Sequence, residues 1–392
     1  MKRFVCFFVL LVSVYLVSTA QTEDYTLEED SVVHRDIFER GSRWVRELRN
    51  IIIVPPKTES DADSFNIQSP DLLYRESEGL TITSIRIIRL KPFGTSVTDD
   101  EHPPITLFGR AGNTIHVSTR EFVIRNMLLF REGDNVDGFK LAYSERYIRS
   151  LEYIGDARVT AIPISENEAE VVVVVQDILP YLVSLDTNFE SRASVTFTNH
   201  NLIGLGLEMQ NGIFINKYKD NLMGYRAMLR SSNIGRSLVS IQADYLDRYE
   251  TKRYGFIMQR DFHAPATKYA GHLSFYNART PVRFYESKEE NRNLTPLSIR
   301  YNQWDAWLGR SFQVNKSSMS NQSKNIALSI GARRMQFIDR PEHSQERYYR
   351  FQNRTTYLAS VTYSQQSFYH ASMIYNYGRT EDIPYGYLFS II

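Results

Sequence analysis

The spacing of apolar and polar positions changes near residue 180. Between residues 80 and 176 the period switches from two to a helical one and back again, as expected of a small α/β unit. Residues 81–90 alternate as a strand with Ile82, Ile85, Ile87 and Ile88 apolar. An insertion rich in turn residues follows (Pro92, Gly94, Pro103, Pro104, Gly109, Gly112). Ser118 or Thr119 is then placed to cap a helix with Phe122, Val123, Met127 and Phe130 on one side, ended by the turn Glu132, Gly133, Asp134. A second helix over 140–151 puts Leu141, Ile148 and Leu151 on one stripe and turns Arg146 and Arg149 towards solvent. Residues 157–164 and 168–176 read as a hairpin around Ser165, Glu166 and Asn167. The predicted order is β-α-α-β-β.

Beyond residue 180 the chain alternates with period two in short segments separated by turn residues: 193–198, 207–215, 224–229, 238–245, 254–259, 268–276, 297–304, 326–337, 356–363, 368–377 and 385–392. In 238–245, Leu238, Ser240, Gln242 and Asp244 oppose Val239, Ile241, Ala243 and Tyr245, so one face suits lipid and the other water. Six of the 25 tyrosines precede residue 180 and the rest follow it, a bias that fits aromatic girdles, with Trp304 and Trp307 as further anchors. These segments predict an all-β, antiparallel transmembrane barrel; a soluble β-sandwich with exposed tyrosines is the other reading of the same alternation.

The N-terminus favours the barrel. Lys2 and Arg3 precede an apolar run over 4–17 and small residues Ser18 and Ala20, the layout of a secretory signal cleaved between Ala20 and Gln21. That run is too short to cross a bilayer as a helix, which takes about 20 residues. The one cysteine, Cys6, lies within it, leaving the mature chain without a disulfide or thiolate and pointing to a bacterial envelope. The predicted organisation is a signal over 1–20, a tether over 21–80 with one helix in 32–48, a small domain over 81–178, and the barrel over 179–392. Charge is balanced, 46 basic against 45 acidic residues, with no basic stripe, so nucleic acid is not an expected partner. The charged stretch 286–295 and the Ser- and Asn-rich stretch 315–324 read as extracellular loops, and the glycan-acceptor triplets at Asn293, Asn315, Asn321 and Asn353 as chance matches.

The segments 117–125 (VSTREFVIR), 128–134 (LLFREGD), 144–151 (SERYIRSL) and 154–157 (IGDA) resemble the polypeptide-transport-associated (POTRA) domain that precedes Omp85-type outer-membrane barrels. Asn201, Leu202, Gly204 and Gly206, within NLIGLG, are similar to the segment at the start of such barrels. The resemblance implies a Gram-negative outer-membrane protein with its POTRA-like domain in the periplasm. It further implies that the protein inserts or translocates polypeptides without a cofactor, as do the barrel-assembly protein and its relatives. Its partners would be unfolded outer-membrane or secreted polypeptides, the outer-membrane bilayer and envelope accessory proteins. Clients would join by β-augmentation at an edge of the small domain, at Val159, Ile162 and Ile164 or at Ile85 and Ile87, and at a seam over 194–209. The sequence lacks the family's late Val/Ile-Arg-Gly-Phe/Tyr motif and stops within a strand, so C-terminal truncation is expected.

Catalytic signatures are few. There is no phosphate-binding glycine loop, His-Glu-X-X-His helix or Gly-X-Ser-X-Gly elbow, and His263, His272, His343 and His370 are scattered singly. His272 with Ser274 and His370 with Ser372 share a strand face, as an outer-membrane phospholipase would require, but such pairs are frequent in serine-rich strands. The expectation is a non-enzymatic protein without metal or cofactor; the alternatives are a passive channel or structural barrel with a docking domain, and a soluble periplasmic binding protein.

Overall fold

The computed structural model describes residue 74 and residues 76–392, except 96, 98–105, 189–190, 220–221, 263–266, 283–296, 315–322, 341–348 and 373–379. The signal, its Ala20/Gln21 junction, Cys6, the helix of the tether, the loop 286–295, most of the loop 315–324, and His263, His343, Asn293, Asn315 and Asn321 lie outside the described residues. All described residues belong to one compact unit, Thr58–Ile392.

The small domain runs β1 (Thr81–Leu90), α1 (Leu107–Ile115), α2 (Glu121–Met127), α3 (Gly138–Arg149), β2 (Ile154–Pro163) and β3 (Glu168–Asp177). Its sheet has the order β1-β3-β2, with β1 parallel and β2 antiparallel to β3. The central place of β3 follows from its sequence: Val171, Val172, Val173 and Val175 are all buried, as in a strand covered on both faces. Ile82 and Ile85 from β1, Val123, Ile124 and Met127 from α2, and Leu141 and Ile148 from α3 close the same core. Asp137 caps α3 by accepting from the N–H groups of Phe139 and Lys140.

Four sequence expectations change here. The turn-rich insertion contains a helix, α1, capped by the Thr106 hydroxyl at the Gly109 N–H. Neither Ser118 nor Thr119 caps α2; Arg120 holds that position without a side-chain bond, because Thr119 is engaged elsewhere in the interior. Phe122 is half-exposed and Ile124 takes its place inside, while Phe130 is buried beyond the end of the helix. Arg146 and Arg149 do not face solvent, since α3 is covered on that side by the larger sheet.

That sheet contains eleven described strands in sequential order: β4 (Tyr181–Thr187), β5 (Arg192–Asn199), β6 (Leu207–Asn216), β7 (Met223–Ser231), β8 (Ser240–Arg248), β9 (Thr251–Arg260), β10 (Tyr269–Val282), β11 (Leu297–Gln313), β12 (Ser323–Asp339), β13 (Arg354–Ser372) and β14 (Thr380–Ile391). Every neighbouring pair is antiparallel. Among the described residues no ladder joins β4 to β14, so the sheet has two free edges. No described helix is long and apolar enough to cross a membrane. The sequence reading missed β4, and its separate segment 368–377 begins inside β13.

Register assigns each side chain to one of two faces. Directly opposed residues share a face, so the rows Leu229, Ala243, Phe256, Phe275, Trp304 and Met258, Leu273, Ala306, Ala332, Tyr357 lie on the same side. Val183, Phe197, Tyr225, Tyr245, Leu308, Ile330, Tyr387 and Phe389 continue that apolar face, most of them well exposed. The opposite face carries Gln210, Gln242, Asp244, Arg253, Asp305, Arg333, Ser329 and Ser360, tied by ion pairs between Arg253 and Asp244 and between Arg333 and Asp305 and by a hydroxyl bond between Ser329 and Ser360. Ser240 to Tyr245 alternate as expected, but Leu238 precedes the strand with φ 57° and a buried side chain. Trp304 belongs to the apolar face and packs on Phe275 at 4.3 Å between ring centroids. Trp307 lies opposite His272 on the polar face and lines a cavity with Asp305, Arg333 and Ser360, so it does not serve as a girdle residue.

Candidate functional site

Two buried polar clusters and a set of strand edges occupy the junction between the small domain and the sheet. The first cluster is centred on Asp177, at the last position of β3. Its carboxylate accepts from the Thr119 N–H at 2.7 Å and the Thr119 hydroxyl at 2.9 Å, and lies 3.2 Å from Nε2 of His116. The His116 and Asp177 side chains are 2% and 1% exposed. The Thr119 oxygen in turn accepts from Asn201 Nδ2 at 2.8 Å, and Asn201 Oδ1 accepts from the Gly206 N–H at 2.7 Å. The Arg120 N–H donates to the Gly204 carbonyl at 2.9 Å. Gly204 and Gly206 have φ of 75° and 66°, and a Cβ on Gly204 would sit 2.4 Å from the Ser118 carbonyl oxygen. Asn201, Leu202, Gly204 and Gly206, the residues of the barrel-start resemblance, thus lie on the connection from β5 to β6 and fit against the small domain. The cluster resembles a His–Asp–Thr hydrolase arrangement, but with His116, Asp177 and Thr119 all buried and the threonine hydroxyl spent on Asp177, it offers no route for a substrate.

The second cluster joins α3 to β14. Arg149, 6% exposed, makes a bidentate pair with Asp382, both bonds at 3.0 Å, and a further bond to Glu145. Burial acts to lower the Arg149 pKa, but the Glu145 and Asp382 charges outweigh it and hold the guanidinium above its usual range. Arg146 lies 3.6 Å from the centroid of the Phe368 ring and 3.6 Å from Asp382, and here burial prevails and lowers its pKa. Across the junction Tyr147 approaches the carbonyl of Ser232, and burial pushes its phenol up to about 12. The turn from β7 to β8 completes the contact: Asn233 donates to the Asn126 carbonyl and Arg236 to the Arg125 carbonyl.

The edge of β2 is occupied by side chains. In this antiparallel strand Ala157, Val159 and Ala161 direct their backbone groups away from β3. The Val159 N–H donates to Glu145, the Ala157 carbonyl accepts from Arg149, the Val159 carbonyl from the Tyr74 hydroxyl, and the Ala161 carbonyl from the Ser77 hydroxyl. Of the predicted receiving residues, Val159 points into the core while Ile162 and Ile164 are exposed. On β1, the Ile82 N–H donates to the Asp134 carbonyl, the Ile85 N–H to Glu132, and the Ile85 carbonyl accepts from Arg125. Ile85 is buried and Ile87 packs partly on the core.

The edge of β4 differs. Its even-numbered residues face β5, since the Pro180 carbonyl accepts from His200 and the Asn188 N–H donates to Arg192. The odd-numbered residues therefore turn their N–H groups to the free edge. Among the described residues no bond is made to the N–H of Val183 or Leu185. Sequence reasoning missed this strand because Tyr181, Leu182 and Val183 are consecutive apolar residues that hide the alternation. The seam residues 194–209 lie one and two strands further in, on β5 and β6.

His272 and Ser274 form no catalytic pair: His272 Nδ1 lies 3.3 Å from the Gln259 side-chain oxygen, and Ser274 is buried beside it. The side chains of His370 and Ser372 lie outside the described residues. Among the described residues no three His, Asp, Glu or Cys side chains are placed to hold a metal ion.

No protein-family model matches the chain, and no curated protein does. Among solved structures, BamA from Haemophilus ducreyi lacking POTRA domains 1–3 is similar at 11% identity and a TM-score of 0.31, covering 75% of this chain and 56% of that one. CdiB from Acinetobacter baumannii is similar at 9% identity and a TM-score of 0.31, covering 80% of this chain and 46% of that one. The chain therefore spans about half the length of these two proteins.

The Asp177 cluster yields an expectation. D177A removes the acceptor for two Thr119 donors and should cost about 3 kcal/mol, read as a lower melting temperature. D177N keeps one acceptor and should cost less; equal losses for the two would contradict the arrangement.

Proposed function

We propose that this chain is a Gram-negative outer-membrane protein that inserts or translocates other polypeptides, receiving them as added β-strands. The observation that carries the proposal is a sheet with one apolar and one polar face whose first strand, β4, makes no bond among the described residues through the edge N–H groups of Val183 and Leu185, beside a docked α/β domain. Burying the apolar face is worth roughly 25 cal/mol per Å² removed from water, and a bilayer is the partner that fits a face of such extent. Sheet edges offer the other half of the chemistry, because an extended segment adds through main-chain bonds whatever its sequence. In this reading the small domain is POTRA-like and periplasmic, and its own β2 and β1 edges form a second receiving site, at Val159, Ile162, Ile164, Ile85 and Ile87. That second site requires Glu145, Arg149, Tyr74 and Ser77 to release β2, or Asp134, Glu132 and Arg125 to release β1. The resemblance in the 117–157 segments supports the same assignment.

The polar face favours one alternative, a passive channel lined by Arg253, Asp244, Arg333 and Asp305. A photo-crosslinker placed at Leu185 separates the two. Added strands should give adducts with several envelope polypeptides, and V183P, which removes an edge N–H while sparing the β4–β5 ladder, should abolish them without altering heat-modifiable gel mobility. Adducts that persist in V183P would contradict strand addition, and ion conductance without adducts would establish the channel.

The bilayer assignment has its own consequence. L308R on the apolar face should destabilise the folded state by about 2–4 kcal/mol if that residue lies near mid-bilayer, whereas Q303R, on the polar face of the same strand, should be tolerated. Urea titration of the heat-modifiable band in lipid vesicles measures both; equal effects would exclude the assignment.

A further inference from the structure

Helix α1 is built inside out. It buries Gly109 and Gly112, while Leu107 is 72% exposed, Ile115 60% and Phe108 44%. The glycines allow close approach, since a Cβ on Gly112 would meet the Phe93 ring at 2.6 Å and Leu179 at 3.5 Å. Leu107, Phe108, Ala111 and Ile115 recur at helical spacing along the outer side, and Arg110 is the one charged residue of the helix. A helix on the surface of a water-soluble domain does the reverse, turning its apolar stripe inward.

The position of the helix identifies what covers that stripe. Tyr181, at the start of β4, donates its hydroxyl to the Ile115 carbonyl at 3.3 Å and stacks on Phe197, 6.4 Å between centroids. Both rings lie on the apolar face of the sheet. Ile115 and the exposed Val117 thus continue that face past the end of β4, and an interfacial tyrosine marks the boundary.

We propose that α1 lies in the headgroup–acyl boundary of the same bilayer that receives the sheet, with Leu107, Phe108 and Ile115 entering the acyl edge and Arg110 meeting lipid phosphate. The partner is a phospholipid surface, which gives the small domain, already joined to the sheet by the two junction clusters, a third point of attachment. The proposal rests on the reading that the apolar face of the sheet meets lipid.

The test uses the full chain with Cys6→Ser, reconstituted in vesicles of phosphatidylethanolamine and phosphatidylglycerol. An environment-sensitive fluorophore is attached at F108C, at L308C on the apolar face, or at S165C on the β2–β3 hairpin. The F108C label should shift to the blue and be quenched by nitroxides carried near the lipid headgroup. The L308C label should be quenched by nitroxides in the acyl chains, and S165C by aqueous iodide alone. If F108C behaves like S165C while L308C is quenched from the lipid, α1 does not touch the bilayer and the proposal fails by itself. Protection of F108C from both lipid and aqueous quenchers would mean that protein covers the stripe, and would also overturn it. If L308C is not quenched from the lipid, the underlying membrane reading fails with it.

Discussion

A buried carboxylate fixes the arrangement of this molecule. Asp177 ends the central strand of the small domain and, from a position with no access to water, fixes Thr119 ahead of α2; Thr119 then receives Asn201 from the β5–β6 connection. An unpaired carboxylate in that place would cost several kcal/mol, so each partner is required by the others. Gly204 and Gly206 complete the fit because only residues without a Cβ bring the connection this close at positive φ. On the far side, Arg149 and Asp382 perform the same service between α3 and β14. The small domain is thereby joined near both ends of the strand order by groups that lose much of their value when separated.

This double attachment gives the edges different standing. The bonds that Glu145 and Arg149 make to β2 belong to the same network that reaches Asp382, so the β2 edge is satisfied while the domain is docked. Among the described residues, strand β4 has no comparable cover at Val183 and Leu185. Unsatisfied edges are normally blunted by charge, proline or covering side chains; β2 shows that device and β4 does not. The difference follows from side-chain reach rather than from strand sequence, since both strands carry apolar residues.

How much was legible beforehand depended on how local each cause was. The β-α-α-β-β core could be read because Ile82, Val123, Leu141, Ile148 and the valines of β3 obey simple periods. The alternation of the later strands was equally plain, and ten of the eleven described strands, β5 to β14, coincide with predicted segments. Helix α1 was hidden because its apolar residues face outward and its glycines imitate a loop. Arg146 and Arg149 looked solvated because their partner, Asp382, is more than two hundred residues away, and Thr119 looked like a cap because Asp177 is 58 residues distant. Long-range polar pairing leaves no periodic trace, and that is where the sequence reading of the junction failed.

The central claim is that one face of the large sheet meets lipid and the other meets water. The most direct measurement is cysteine scanning along β9 in the outer membrane, in the Cys6→Ser background, with a membrane-impermeant maleimide. The account expects labelling at Arg253, Ile257 and Gln259 and protection at Tyr254, Phe256 and Met258, a period of two that follows the register. Uniform labelling, or labelling of the Tyr254 set instead, would contradict it.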